Sequence, residues 1–211
     1  QSGVFTLELQ QPLGAGSRMA AKALILLAGW LLAMTPGLVA IGLWMRYGGA
    51  TYAPEILAVA TGQILNAALT IGLGAAAAAL TEHPATAAIA TLAVTVGTWV
   101  ISFFAALKGG LWDALAAFTP PAMVAQFQHG LVRADVTVAT VALTAAGLAV
   151  AAVWIRLGVD VRRRMVETAG VLVATALVLA GASSLRASVD LSENRQNSFG
   201  EADARALASI T

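Results

Sequence analysis

The sequence predicts an all-α, polytopic membrane bundle, and three observations carry that expectation. Charged residues make up 11% of the chain and hydrophobic residues 59%, whereas a soluble domain carries roughly 25% charged residues. The apolar residues gather in runs of about 20, the length a helix needs to cross a bilayer, and not in alternating segments of about ten, which excludes an outer-membrane barrel. Such runs occur five times, at 23–45, 55–80, 85–107, 134–155 and 166–185.

The first run is ALILLAGWLLAMTPGLVAIGLWM, with Pro36 followed by Gly37 near its middle. Proline has no N–H and crowds the preceding turn, so a kink is expected there, with the freed carbonyl satisfied by neighbouring protein or water. Packing plasticity and a gating hinge both account for such a kink. The second run, EILAVATGQILNAALTIGLGAAAAAL, is rich in Gly and Ala, which lets helix backbones approach closely. Gln63 and Asn66 sit near its middle, three residues apart and so on one helix face. They either line a polar route or hydrogen-bond a neighbouring helix. A tight turn, TEHP, leads into the third run.

Residues 108–133, KGGLWDALAAFTPPAMVAQFQHGLVR, are too polar and too broken to span. Pro120 and Pro121 suit a turn followed by a helix start. LWDALAAF and PAMVAQFQ therefore read as two short helices lying at, or dipping into, one face of the membrane, with Trp112 at the interface. Asp113, Asp135 and His129 have the chemistry of ion ligands, but residues so placed are more often solvated charges at helix ends, and that is the expectation for all three. The fourth run follows. RLGVDVRRR then separates it from the fifth.

Five spans put the two ends of the chain on opposite sides. Arg156, Arg162, Arg163 and Arg164 form the densest positive cluster, and the positive-inside rule places their loop in the cytoplasm. Residues 1–22, with Arg18 and Lys22, and the TEHP turn then also face the cytoplasm. Six basic residues lie on that side against four (Arg46, Lys108, Arg133, Arg186) on the other. The tail from 187 is expected outside, in the periplasm or beyond the cell.

Net charge is +1 and there is no extended basic block, so nucleic acid is not an expected partner. The chain has no Cys, and its two His residues, His83 and His129, make no metal-ligand spacing. No G-x-x-x-x-G-K-[ST] phosphate loop occurs; GAGSR at 14–18 is Gly-rich but lacks the lysine. No catalytic, cofactor or metal residue is expected. Ionisable residues keep to the span ends, as Glu55 and Glu167 do, whereas an ion-coupled carrier buries at least one near the midplane. The energy source for any transport is therefore expected elsewhere.

Residues 2–22, SGVFTLELQQPLGAGSRMAAK, form a Gly- and Pro-punctuated stretch directly before the first span. This stretch resembles the cytosolic coupling segment of type-2 ABC transporter permeases, in particular the gliding-motility-associated branch. That family's pattern is Gly-Thr-x-Glu-x-Leu-Leu, a Pro nine residues after the Gly, and a Gly-Lys ten residues after the Pro. Gly3, Pro12 and Lys22 hold those spacings, with Leu9 on the leucine run. Val4 replaces the Thr, Thr6 the first Glu (Glu8 is close by), and Ala21 the Gly before Lys22. The resemblance implies a short helix docking into a groove of an ATP-binding subunit. Phe5, Leu9 and Leu13 recur every four residues and could supply its apolar stripe; an ordinary interfacial helix fits those three as well.

Two further stretches are similar to the same family. LTEHPATAAIATLAV resembles its cytosolic turn between the fourth and fifth helices. FQHGLVRADV resembles the segment before its last helix, with Gly130 and Asp135 in place. Because the family has six helices, this chain is expected to be an internal portion of a longer protein. Residues VRRRMVETAGVLVATALVLAGASSLRASVDLSENRQNSFG resemble the start of the partner protein of gliding-motility-type systems: basic residues, one membrane helix, then Asp-Leu-Thr-Glu-x-Lys/Arg. Asp190, Leu191, Ser192, Glu193, Asn194 and Arg195 carry that match. Capping of a turn by Asp190 or Ser192 explains those two without any function.

The resemblances imply a coupling segment at 1–22, permease helices at 23–158, a basic linker and extra membrane anchor at 159–186, and the start of a periplasmic or extracellular domain at 187–211. They imply a permease subunit in a bacterial inner membrane, with ATP and Mg²⁺ held by a separate ABC ATPase subunit. Its other partners would be a second permease copy or related chain, a periplasmic auxiliary domain and membrane lipids. The alternative is a non-transporting anchor or scaffold for a periplasmic domain. An intramembrane enzyme has little support, because no paired membrane Asp, H-E-x-x-H or Ser/His arrangement is present.

Overall fold

The computed structural model describes residues 14–116 and 119–193. Among them, eight helices and one pair of short strands follow in the order α1 (Ala15–Ala33), α2 (Thr35–Arg46), α3 (Ala53–Leu80), α4 (Pro84–Lys108), α5 (Leu111–Ala116), α6 (Pro120–Gln128), β1 (Leu131–Arg133), α7 (Ala134–Trp154), α8 (Val161–Ala182) and β2 (Ser188–Asp190). Five helical stretches are long and apolar enough to cross a membrane: α1 with α2, then α3, α4, α7 and α8. The chain is an all-α, multi-pass membrane bundle. Most of its large apolar side chains outside the central pair, such as Leu32, Leu92, Trp99 and Leu177, are exposed, as a surface solvated by lipid requires.

The first span breaks at Met34, where the Pro36 kink is expected. Proline leaves the Leu32 carbonyl without its usual partner. The Thr35 hydroxyl donates to that carbonyl at 2.6 Å, so the chain satisfies the site from within. The helix also starts at Ala15, earlier than the expected 23. Ala, Met, Arg and Lys are good helix formers, and polarity alone does not end a helix.

At the centre, α3 crosses α7 with almost no gap. A Cβ on Gly147 would sit 2.4 Å from the Gly72 carbonyl oxygen, and one on Gly72 would sit 2.8 Å from that of Thr144. Only hydrogen fits there, so these two glycines set the crossing distance. Beside it, Leu69, Phe127, Val136 and Ala139 form the buried core, with Leu65, Leu73, Leu143 and Leu179 packed around them.

The loop carrying the arginines is shorter than expected. Helix α8 begins at Val161, so Arg162, Arg163 and Arg164 lie in its first turn and not in the connection. Three cations at a helix N-terminus oppose the helix dipole, and acidic groups offset them. Asp160 caps the helix by accepting from the Arg162 backbone N–H at 3.2 Å. Glu167 pairs with both Arg156 and Arg163. Arg164 Nη2 donates to the Arg156 carbonyl at 2.5 Å, and Trp154 Nε1 donates to Thr168 Oγ1 at 2.9 Å. These contacts staple α8 to the end of α7.

At the opposite end, β1 pairs antiparallel with β2, Leu131 opposite Asp190 and Arg133 opposite Ser188. Backbone bonds extend the ladder on both sides, from Ala134 N–H to the Ala187 carbonyl (2.9 Å) and from Leu191 N–H to that of Gly130 (2.8 Å). Gly130 has φ +76°, and a Cβ there would meet the Ser192 backbone nitrogen at 2.8 Å. This position therefore needs glycine for both conformation and space.

Candidate functional site

The expected coupling residues Gly3, Phe5, Glu8, Leu9, Pro12 and Leu13 lie outside the described residues, as do Asn194 and Arg195. Lys22 lies in the second turn of α1 and lines an apolar groove of about 510 Å³ walled by Gly74, Ala75, Ala78 and Leu148. His83 and His129 are the N-cap of α4 and the C-cap of α6. Arg133 forks onto Asp135 with bonds of 3.0 and 2.5 Å, which makes Asp135 a structural partner of the strand pair. The Asp113 side chain falls outside the description. Asp190 Oδ1 accepts from Ser192 N–H at 3.0 Å and from Ser192 Oγ at 2.6 Å, the turn cap expected of that pair.

Gln63 and Asn66 are brought together with groups the sequence left scattered. They line a cleft of about 470 Å³ between α3, α4 and α6, together with Thr70, Thr95, Thr98 and Gln128. The cleft exists because α6 does not lie on the surface but packs into the bundle. Phe127 is 2% exposed and sits against Gly62, where a Cβ would be 2.4 Å from the Phe127 Cβ and 2.8 Å from its ring. That insertion carries Gln128 and Val124 down to the level of Gln63. Above it, Trp112 of α5 stacks on Phe104 of α4 with ring centroids 5.3 Å apart.

The cleft is amphipathic and uncharged: six polar side chains share its wall with Leu73, Val94, Trp99, Pro120, Val124 and Ala125. The Thr70, Thr95 and Thr98 hydroxyls donate to the carbonyls of Asn66, Thr91 and Thr95 at 2.7–2.9 Å. Their protons are thus spent on their own helices, while their oxygens keep lone pairs able to accept. Among the described residues, no hydrogen bond engages the side chains of Gln63, Asn66 or Gln128. Trp99 and Val94 also line the cleft, and both are largely exposed, so its mouth opens on the outer surface of the bundle.

Thr95, Thr98, Trp99 and Gln128 were not anticipated. A signal for two of them is present in the third span: Thr91, Thr95, Thr98 and Ser102 recur at intervals of four, three and four, one face of a helix. No family model, no curated protein and no solved structure matches this chain.

Proposed function

We propose that the chain is a membrane-spanning permease subunit of an ATP-driven ABC transporter of the inner membrane, energised by a separate ATPase subunit. The observation that carries this reading is the uncharged, amide- and hydroxyl-bearing cleft between two membrane-spanning helices, α3 and α4, and the inserted helix α6. Amides and hydroxyls at that depth offer a solute or headgroup somewhere to bind. No ionisable residue lies at mid-span among the described residues, so the cleft has no group able to couple to a proton gradient. Energy then enters from outside the membrane, and residues 3–18 resemble the segment through which it would enter.

The strand pair is compatible with a permease followed, in one chain, by the membrane anchor of the auxiliary protein. It joins Gly130–Arg133, in the stretch resembling a permease, to Ser188–Ser192, in the stretch resembling an auxiliary protein. Together with the staple at the other end of α8, it also favours the second reading, a non-transporting anchor or scaffold for a periplasmic domain.

One experiment separates the two. Leu9→Asp would place an unpaired charge in the apolar pocket of the ATPase, a cost of several kcal/mol. Pull-down and ATPase assays of Leu9→Asp beside Gln11→Asp are expected to show loss of subunit recovery and of stimulated activity in the first alone. Equal recovery and activity in both would leave the anchor reading standing.

A further inference from the structure

We infer that the cleft between α3, α4 and α6 binds a neutral, hydroxyl-rich group such as a sugar ring, as the headgroup of a membrane amphiphile. As the substrate class of the proposed permease it rests on that reading; as a binding site it rests on the cleft alone. The volume of about 470 Å³ lies within the roughly 300–1,000 Å³ of small-molecule sites.

The polar half of the lining selects the ligand's headgroup by its hydrogen-bond inventory, and the apolar half (Leu73, Val94, Trp99, Pro120, Val124, Ala125) suits the carbon skeleton beside it. Thr70, Thr95 and Thr98 have committed their protons to helix carbonyls and present oxygen lone pairs. Gln63, Asn66 and Gln128 each add one carbonyl acceptor and one NH₂ donor group. Acceptors therefore outnumber donor groups. An anion would face lone pairs with no cation to balance it, and a cation would find no carboxylate; in this setting an unpaired charge is costly. Hydroxyl groups, which both donate and accept, match the wall. Trp99 supplies a broad apolar face at the mouth, suited to the C–H face of a ring. The mouth opens beside Val94 and Trp99, both exposed on the apolar helix α4; with α4 spanning a bilayer, an acyl-chain-bearing molecule would enter from the side without crossing water.

The test uses the purified chain in phosphatidylcholine nanodiscs, without nucleotide or any ATPase, so its failure and that of the coupling experiment are independent. Three probes are offered: a glucosyl-diacylglycerol, phosphatidylglycerol of the same acyl chains, and free maltose. Retention is read by native mass spectrometry. The glucosyl lipid is expected to be held in preference to phosphatidylglycerol. Gln63→Leu and Asn66→Leu, each checked for unchanged helix content, should weaken it by about tenfold, the loss of one or two hydrogen bonds. Leu172→Ala, on the lipid face of α8, should leave it unchanged. Maltose binding with the same dependence on the amides would support the site and assign it to a free sugar. Equal retention of the glucosyl lipid and phosphatidylglycerol, or indifference to both leucine substitutions, would overturn the inference.

Discussion

Helix α3 presents two faces that behave in opposite ways. Ala58, Gly62, Leu69 and Gly72 form a dry stripe, all buried, and at Gly72 it meets α7 closely enough to exclude a methyl group. Gln63, Asn66, Thr70 and Leu73 form a second stripe, displaced around the helix, and there α4 stands off across a cleft. Both stripes follow the spacing of one helix face. What differs is side-chain size and polarity. In a bilayer no hydrophobic force draws helices together, so packing of small residues decides where backbones meet. Bulky amides leave a gap that only another polar group fills well.

The most damaging way to break this contrast is to fill the dry face. Gly147→Leu drives a side chain into the Gly72 carbonyl, 2.4 Å from where its Cβ would lie, and backbone cannot swing aside as a side chain can. Overpacking costs roughly 1–3 kcal/mol and sometimes more; here about 3 kcal/mol is expected, read as a lowered midpoint of unfolding in detergent. Thr70→Leu, on the wet face of the same helix, should cost far less. Similar losses from both would erase the distinction between the faces.

A smaller effect is expected where α8 meets α7, since polar staples and the Leu179 side chain hold that contact and no glycine close approach does. Glu167→Ala removes both of its ion pairs. The partners are partly to largely exposed, so about 1 kcal/mol or less is expected. The informative readout is local: hydrogen exchange over residues 161–168 should rise while the α3–α7 crossing stays protected. A uniform rise throughout the bundle would show that α8 and the central pair open as one unit.

The five spans, the Pro36 break and the two short helices were legible because each is a local property: a long apolar run, a missing N–H, a pair of prolines. So was the shared face of Gln63 and Asn66, which follows from helix spacing. The other wall of the cleft was not, although Thr91, Thr95 and Thr98 make a visible stripe. Which helix a stripe faces is settled by tertiary packing, here by the insertion of Phe127 against Gly62. The pairing of residues 131–133 with 188–190 was equally hidden. Three-residue strands are too short to show alternation, and the partners are joined only through two intervening helices. The early start of α8 was obscured because three arginines read as a loop, until Asp160 is seen to cap the helix and Glu167 to pair with Arg163.

The smallest effect, and the one that sharpens the contrast most, is expected at Gln63. If its amide were glue between helices, replacing it would cost stability; interhelical polar contacts in membranes average roughly 0.6 kcal/mol by double-mutant cycles. In the structure no hydrogen bond engages the Gln63 side chain among the described residues, and it borders open space. Gln63→Leu should therefore leave the bundle unchanged or stabilise it by up to about 0.5 kcal/mol, because an unpaired polar group is exchanged for an apolar one of similar size. The unfolding midpoint, measured beside Gly147→Leu, would then stay where it is or rise, whereas that of Gly147→Leu falls. A loss of about 0.6 kcal/mol or more would identify Gln63 as a packing residue and remove it from the wall of a binding site. A neutral or stabilising result has a plain physical meaning: the chain keeps a polar group that folding does not need, at a place where a ligand could use it.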